Sequence, residues 1–127
     1  EARPEHHQMH AVATDALLAC EEKLKLGNTL GDVFAAHANV MDSSGLKEHR
    51  LNACGYTMGC AYAPIWVDYP MIYKNNPMVI EENMVFFLHM ILMNRDNRLA
   101  MCPGHSVVIG SGGAERLSRT SLNLEIK

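Results

Sequence analysis

The chain has 127 residues, of which 48% are hydrophobic and 20% charged, with a formal net charge of −3. That composition describes one globular domain with a modest core and excludes a disordered chain. The absence of any Lys/Arg run argues against a nucleic-acid partner, and no apolar run is long enough to span a bilayer as a helix.

Arg3-Pro4 predicts a helix start, because proline is tolerated in a first turn. Met9, Val12, Ala13, Ala16, Leu17, Cys20 and Leu24 then fall on one face at helical spacing, with Gly27 as the expected stop. Thr29, followed three residues later by Asp32, has the form of a capping box. It opens a second helix that turns Val33, Phe34, His37, Val40 and Met41 inward and ends at Gly45. The two helices form an αα-hairpin. His6, His7 and His10 have a spacing that suits adventitious metal binding, but a solvated helix face is the expected reading.

Glycine, proline and aromatics dominate Leu51 to Pro77, which reads as loop and strand. Met78 to Ile80 is a short strand candidate. "MVFFLHMIL", Met84 to Leu92, predicts one buried strand, its methionines acting as core filler. Asn94 to Arg98 is a polar turn. "LAMC" and "SVVIG" predict further strands, and "SGGAERLSR" a turn followed by a closing strand. "GSGG", Gly110 to Gly113, has no Lys-Ser/Thr after it and is a turn rather than a phosphate loop. The layout is α+β: two helices, then an antiparallel, strand-rich half.

Cys20, Cys54, Cys60 and Cys102 contain no C-x-x-C pair, so neither a zinc ribbon nor a thioredoxin-type motif is indicated. Buried free thiols in a cytoplasmic protein are the expected reading. No signal-peptide pattern is present, and a start at Glu1 fits a trimmed product or a piece of something longer.

Four stretches, "GDVFAAHANVMDSSGL", "GYTMG", "NNPMVIEENMVFF" and "SVVIGSGGAERLS", occur in an order that resembles the C-terminal half of the pita-bread fold. That superfamily includes methionine and proline aminopeptidases, prolidase, creatinase and ectoine hydrolase. The likeness runs from the first helix to about Ser118. "CGYTMGCAYAPIWVD", Cys54 to Asp68, is most similar to creatinase-like and ectoine-hydrolase-like members. The resemblance implies one partial catalytic domain over residues 1–127. A helical hairpin (about residues 5–45) would pack on a curved antiparallel sheet (about residues 50–124).

Metal-binding members of the superfamily use two aspartates from the first half of the domain, then a histidine and two glutamates. The chain does not cover the first half, so neither aspartate is assigned. Tyr56 stands at the histidine position, His89 at the first glutamate and Gly104 at about the second. A di-metal centre needs several hard carboxylate oxygens, so the resemblance implies no metal and no cofactor.

The same positions suggest metal-independent chemistry. Tyr56 would donate to a carbonyl or developing oxyanion, or else simply fill the space of a lost metal. His89 would be a general acid/base near neutral pH, or else a satisfied core histidine. Trp66 would stack on a cationic or planar ligand, Asp68 would pair with its charge, and His105 would reach the same pocket. Loop packing and surface exposure are the alternatives for these three. The expected function is hydrolysis of a non-peptide C–N bond in a small polar metabolite. The rivals are an Xaa-Pro-type metallopeptidase with a drifted site and a non-catalytic binding or assembly module. The expected partners are a small-molecule substrate and a second copy, because a half-domain leaves an open sheet edge, expected near Val85 to Leu92.

Overall fold

The computed structural model describes residues 1–59 and 61–126; Cys60 lies outside the described residues. Helix α1 runs over Pro4–Lys23 and α2 over Leu30–Ser43. Proline in the first turn and the Arg3 N–H, which donates to His6 Nδ1 at 3.0 Å, open α1. Thr29 caps α2: its Oγ1 accepts from the Asp32 N–H at 3.2 Å, while Asp32 Oδ2 accepts from the Thr29 N–H at 2.8 Å. The expected apolar faces are the buried ones. Met9, Ala13, Ala16, Leu17 and Cys20 of α1 join Leu30, Val33, Phe34, His37 and Met41 of α2 in the interior.

Seven strands follow: β1 (Ala53–Thr57), β2 (Asp68–Tyr73), β3 (Val85–His89), β4 (Leu92–Asn94), β5 (Leu99–Met101), β6 (Gly104–Gly110) and β7 (Gly113–Arg116). Five of them form one antiparallel sheet in the order β2-β1-β3-β6-β7, and β4 and β5 form a separate two-stranded ribbon. One face of the large sheet packs on the helices. Phe86 and Leu88 of β3, Val107 and Ile109 of β6 and Ile72 of β2 are buried there. Val79 forms only an isolated bridge to Thr29, in place of the short strand expected at Met78 to Ile80.

The run "MVFFLHMIL" does not make one strand. Its alternation persists, since Phe86, Leu88, Met90 and Leu92 are all buried. The ladder with β6 nevertheless stops at the His89–Gly104 pair. The next residue on the partner side is Pro103, which has no N–H to give. Its carbonyl still accepts from the Met90 N–H at 2.9 Å. Beyond that point the chain changes partner, and Leu92 pairs with Met101 of β5. The open edge is also not where the sequence placed it. β3 lies in the middle of the sheet, and the edges are β2 and β7.

Cys20 and Cys54 are buried free thiols, as expected, but Cys102 is exposed. Among the described residues no helix is long and apolar enough to cross a membrane.

Candidate functional site

The second face of the sheet carries the site. Tyr56 of β1 pairs with Phe87 of β3, and alternation puts His89 on the same side two residues later. The three rings form a cluster. Tyr56 and Phe87 have centroids 5.5 Å apart, Phe87 and His89 5.2 Å, and Tyr56 and His89 6.4 Å, the contacts to His89 being edge-on. Gly55, next to Tyr56, is required by close strand approach: a Cβ there would lie 2.6 Å from the Phe87 carbonyl oxygen.

The long β1–β2 connection folds back over this face. Trp66 Nε1 donates to Tyr56 Oη at 3.1 Å, although the indole itself is 65% exposed. Asp68 Oδ2 accepts from the Ala61 N–H at 3.2 Å and ties the base of the loop together. Tyr56 and His89, with Gly55, Val67, Met71 and Ile91, line a cavity of about 210 Å³. Its wall is mostly apolar, and the phenol and the imidazole are its main polar groups.

Burial holds the His89 imidazole below its ordinary range, so the ring is neutral at pH 7 and able to take a proton. Its Nε2 lies 2.7 Å from Cys102 Sγ. Burial also pushes the Cys102 thiol up. The sequence reading did not single out Cys102. What brings it there is the β3–β6 pairing, whose register of His89 against Gly104 sets the residues just before Gly104 alongside the imidazole.

His105 is not part of this site. It pairs with Leu88, on the helix-facing side of the sheet, one residue out of phase with His89. It is buried there, and its Nε2 lies 2.5 Å from Glu21 Oε1 of α1. Burial lowers the His105 pKa and outweighs the opposing pull of Glu21. For Glu21 itself, burial raises the carboxyl, but the Arg116 hydrogen bonds and His105 prevail and hold it below the usual range.

The residues that the resemblance sets at the superfamily's metal-ligand positions, Tyr56, His89 and Gly104, do not fit a di-metal centre. Tyr56 Oη is engaged by Trp66, and His89 faces a thiol. Gly104 offers no donor, and a Cβ there would meet Leu88 O at 2.6 Å and the Phe87 ring at 2.9 Å. Phe87 thus occupies the space a side chain at 104 would need. Among the described residues, no three His, Cys, Asp or Glu side chains are grouped to hold a metal ion.

A search among curated proteins finds no match by sequence. Solved structures do match. Dipeptidase PepE from Mycobacterium ulcerans superposes with a TM-score of 0.88 at 21% identity, over 98% of this chain and 32% of that one. The X-Pro aminopeptidase of Thermotoga maritima gives 0.86 at 19% identity, over 97% and 34%. The N-terminal domain of the FACT complex subunit SPT16 from Cicer arietinum gives 0.78 at 17%, over 95% and 30%. The chain spans about a third of the length of each, and at these identities the likeness shows the fold alone. The sequence profile of metallopeptidase family M24 matches residues 1–115. The chain therefore belongs to metallopeptidase family M24 and carries part of its pita-bread domain.

Proposed function

We propose that the chain belongs to a creatinase-like or ectoine-hydrolase-like hydrolase that cleaves a C–N bond in a small polar metabolite without a di-metal centre. One observation carries this reading: a phenol oriented by an indole N–H stands beside a neutral imidazole, both lining one small cavity. Tyr56 Oη accepts from Trp66, which leaves its own proton to point at a substrate carbonyl. That donor stabilises charge developing on the carbonyl oxygen. His89 takes a proton from the attacking group and returns it to the departing nitrogen. Trp66 closes the cavity mouth by stacking, and Asp68 holds the loop that presents it.

Two other readings have support. The family is one of metallopeptidases, and PepE and the X-Pro aminopeptidase are peptidases by name, which favours an Xaa-Pro-type peptidase. The likeness to a subunit of the FACT complex favours a binding or assembly module. One assay separates the three. The protein is incubated with N-acetyl amino acids, whose scissile C–N bond carries a carbonyl, and with Xaa-Pro dipeptides, with EDTA or with added Mn²⁺, and amine release is measured. Release from the small non-peptide substrates that EDTA leaves unchanged is the expected result. Cleavage of Xaa-Pro dipeptides only with Mn²⁺ would replace it with the peptidase reading. No turnover under any condition would favour the module.

A further inference from the structure

In this scheme the attacking group is unassigned, and a thiol stands at the imidazole. Cys102 lies in the connection between β5 and β6 and is solvent-exposed. The β3–β6 register brings its Sγ to 2.7 Å from His89 Nε2. Tyr56 and Phe87 hold the imidazole edge-on, at 6.4 and 5.2 Å between centroids. A nucleophile within hydrogen-bond reach of a base, with the base oriented by further groups, is the arrangement of covalent catalysis. We propose that Cys102 and His89 form a thiol–imidazole dyad beside the cavity that His89 lines, and that Cys102 Sγ is the nucleophile toward amide substrates held there. The proposal rests on the hydrolase reading above.

Burial acts on the two partners in compatible directions, holding the imidazole neutral and the thiol protonated. The resting pair is therefore S–H against a neutral ring nitrogen, not a thiolate–imidazolium pair. His89 then works as a general base at the moment of attack. The thiol proton passes to His89 Nε2 as Sγ bonds to the carbonyl carbon and the carbonyl π-electrons move to oxygen. Collapse of this intermediate breaks the C–N bond, and His89 delivers the proton to the departing nitrogen. Water then attacks the thioester, giving its proton to His89. The C–S bond breaks, the proton returns to Sγ, and the acid is released. The sum is amide plus water giving acid plus amine, with no oxidant or reductant.

The test measures thiol reactivity of the full chain. Iodoacetamide is added across a pH series, and alkylation at Cys102 is read by peptide mapping, with the buried Cys20 and Cys54 as internal references. The expected rate rises with the titration of His89, below the ordinary imidazole value of 6.5, and then levels. At pH 7 it should exceed that of a folded His89→Gln variant by about tenfold or more. A rate that climbs only as the thiol itself ionises, above 9.0, overturns the dyad. The wild-type profile decides this even where His89→Gln fails to fold. A second arm uses p-nitrophenyl acetate. A transient acetyl adduct on Cys102 supports the nucleophile, and acetylation confined to lysines overturns it. Hydrolysis of small amides with an unreactive Cys102 would remove the nucleophile and leave attack by water. A His89-dependent, acylating Cys102 with no amide turnover would instead remove the hydrolase reading beneath it.

Discussion

Phe87 and Gly104 divide one volume between them, and that division decides what chemistry the position can hold. A Cβ at residue 104 meets a backbone oxygen at 2.6 Å as well as the ring, so relaxation of Phe87 alone does not make room. Gly104→Ala should therefore cost about 1–3 kcal/mol, as overpacking does, read as a lowered urea midpoint. Gly104→Glu should cost more and restore no metal binding. Unchanged stability in either variant would contradict the packing described. Tyr56→Phe tests the phenol. It removes a hydroxyl whose partner indole is largely solvated, so stability should change little. Turnover should fall about a hundredfold if the hydroxyl faces the developing oxyanion. At this scale the convergence of Tyr56 and His89 on one cavity was legible from their motif positions. The contacts of Cys102 and Phe87 were not, because they arise across paired strands rather than along the chain. His105 was misread for the same reason: its face is set by pairing with Leu88, a register the local sequence does not display.

The helix starts and buried faces were legible, because caps and apolar faces are local signals, while α1 ends at Lys23, short of the stop expected at Gly27. The capping box at Thr29 satisfies two backbone groups at the start of α2. Thr29→Ala should cost about 1 kcal/mol, measurable by chemical denaturation. The same helix carries an acid-sensitive point. His37 is buried against Phe34, at a ring distance of 5.5 Å, and burial, then the nearby Arg50 charge, lowers its pKa to about 4. The folded state therefore favours neutral His37, while the unfolded chain binds a proton below about 6.5. Stability from this group is complete above that pH and is lost as the pH falls toward 4, by about 3 kcal/mol in all. His89 and His105 shift in the same direction and add to the slope. Urea titrations at pH 7 and pH 4.5 should show the loss, and His37→Leu should flatten it. A pH-independent midpoint in the wild-type chain would contradict this account. Among the strands, the interruption after β3 was hidden because its cause, Pro103, lies just before β6, far along the chain from the run it interrupts.

Among the described residues the large sheet has two open edges, and its second face is only partly covered, by the β1–β2 connection. Both edges are poor templates for strand pairing: β2 contains Pro70, and β7 ends in the exposed charges Glu115 and Arg116. The most exposed large apolar side chains lie instead on the β1–β2 connection and the start of β2, where Tyr62 and Tyr69 are each 80% exposed, Trp66 65% and Ile65 57%. Exposed apolar side chains of this kind favour association. The expected homodimer should therefore form through this loop rather than by edge pairing. Light scattering over a dilution series should show a dimer for the wild-type chain and a shift toward monomer for Ile65→Lys with Tyr69→Lys. A monomer at every concentration, or a dimer indifferent to these changes, would overturn this surface as the contact. The partial cover of the sheet's second face by the β1–β2 connection was not readable from composition or periodicity. Alternation along β3 shows which residues share a side, not whether anything covers that side.

The hydrogen bond between Trp66 and Tyr56 has an optical consequence. Trp66 is the sole tryptophan of the chain, so all intrinsic indole emission reports from the ring bonded to Tyr56, one of the cavity's lining residues. In the free protein this largely solvated indole should emit at long wavelength. A molecule seated on Tyr56 and His89 would dehydrate the ring and move the emission to the blue, giving a label-free titration. In Tyr56→Phe the indole loses its tether, so the same titration should start from a redder, less anisotropic signal.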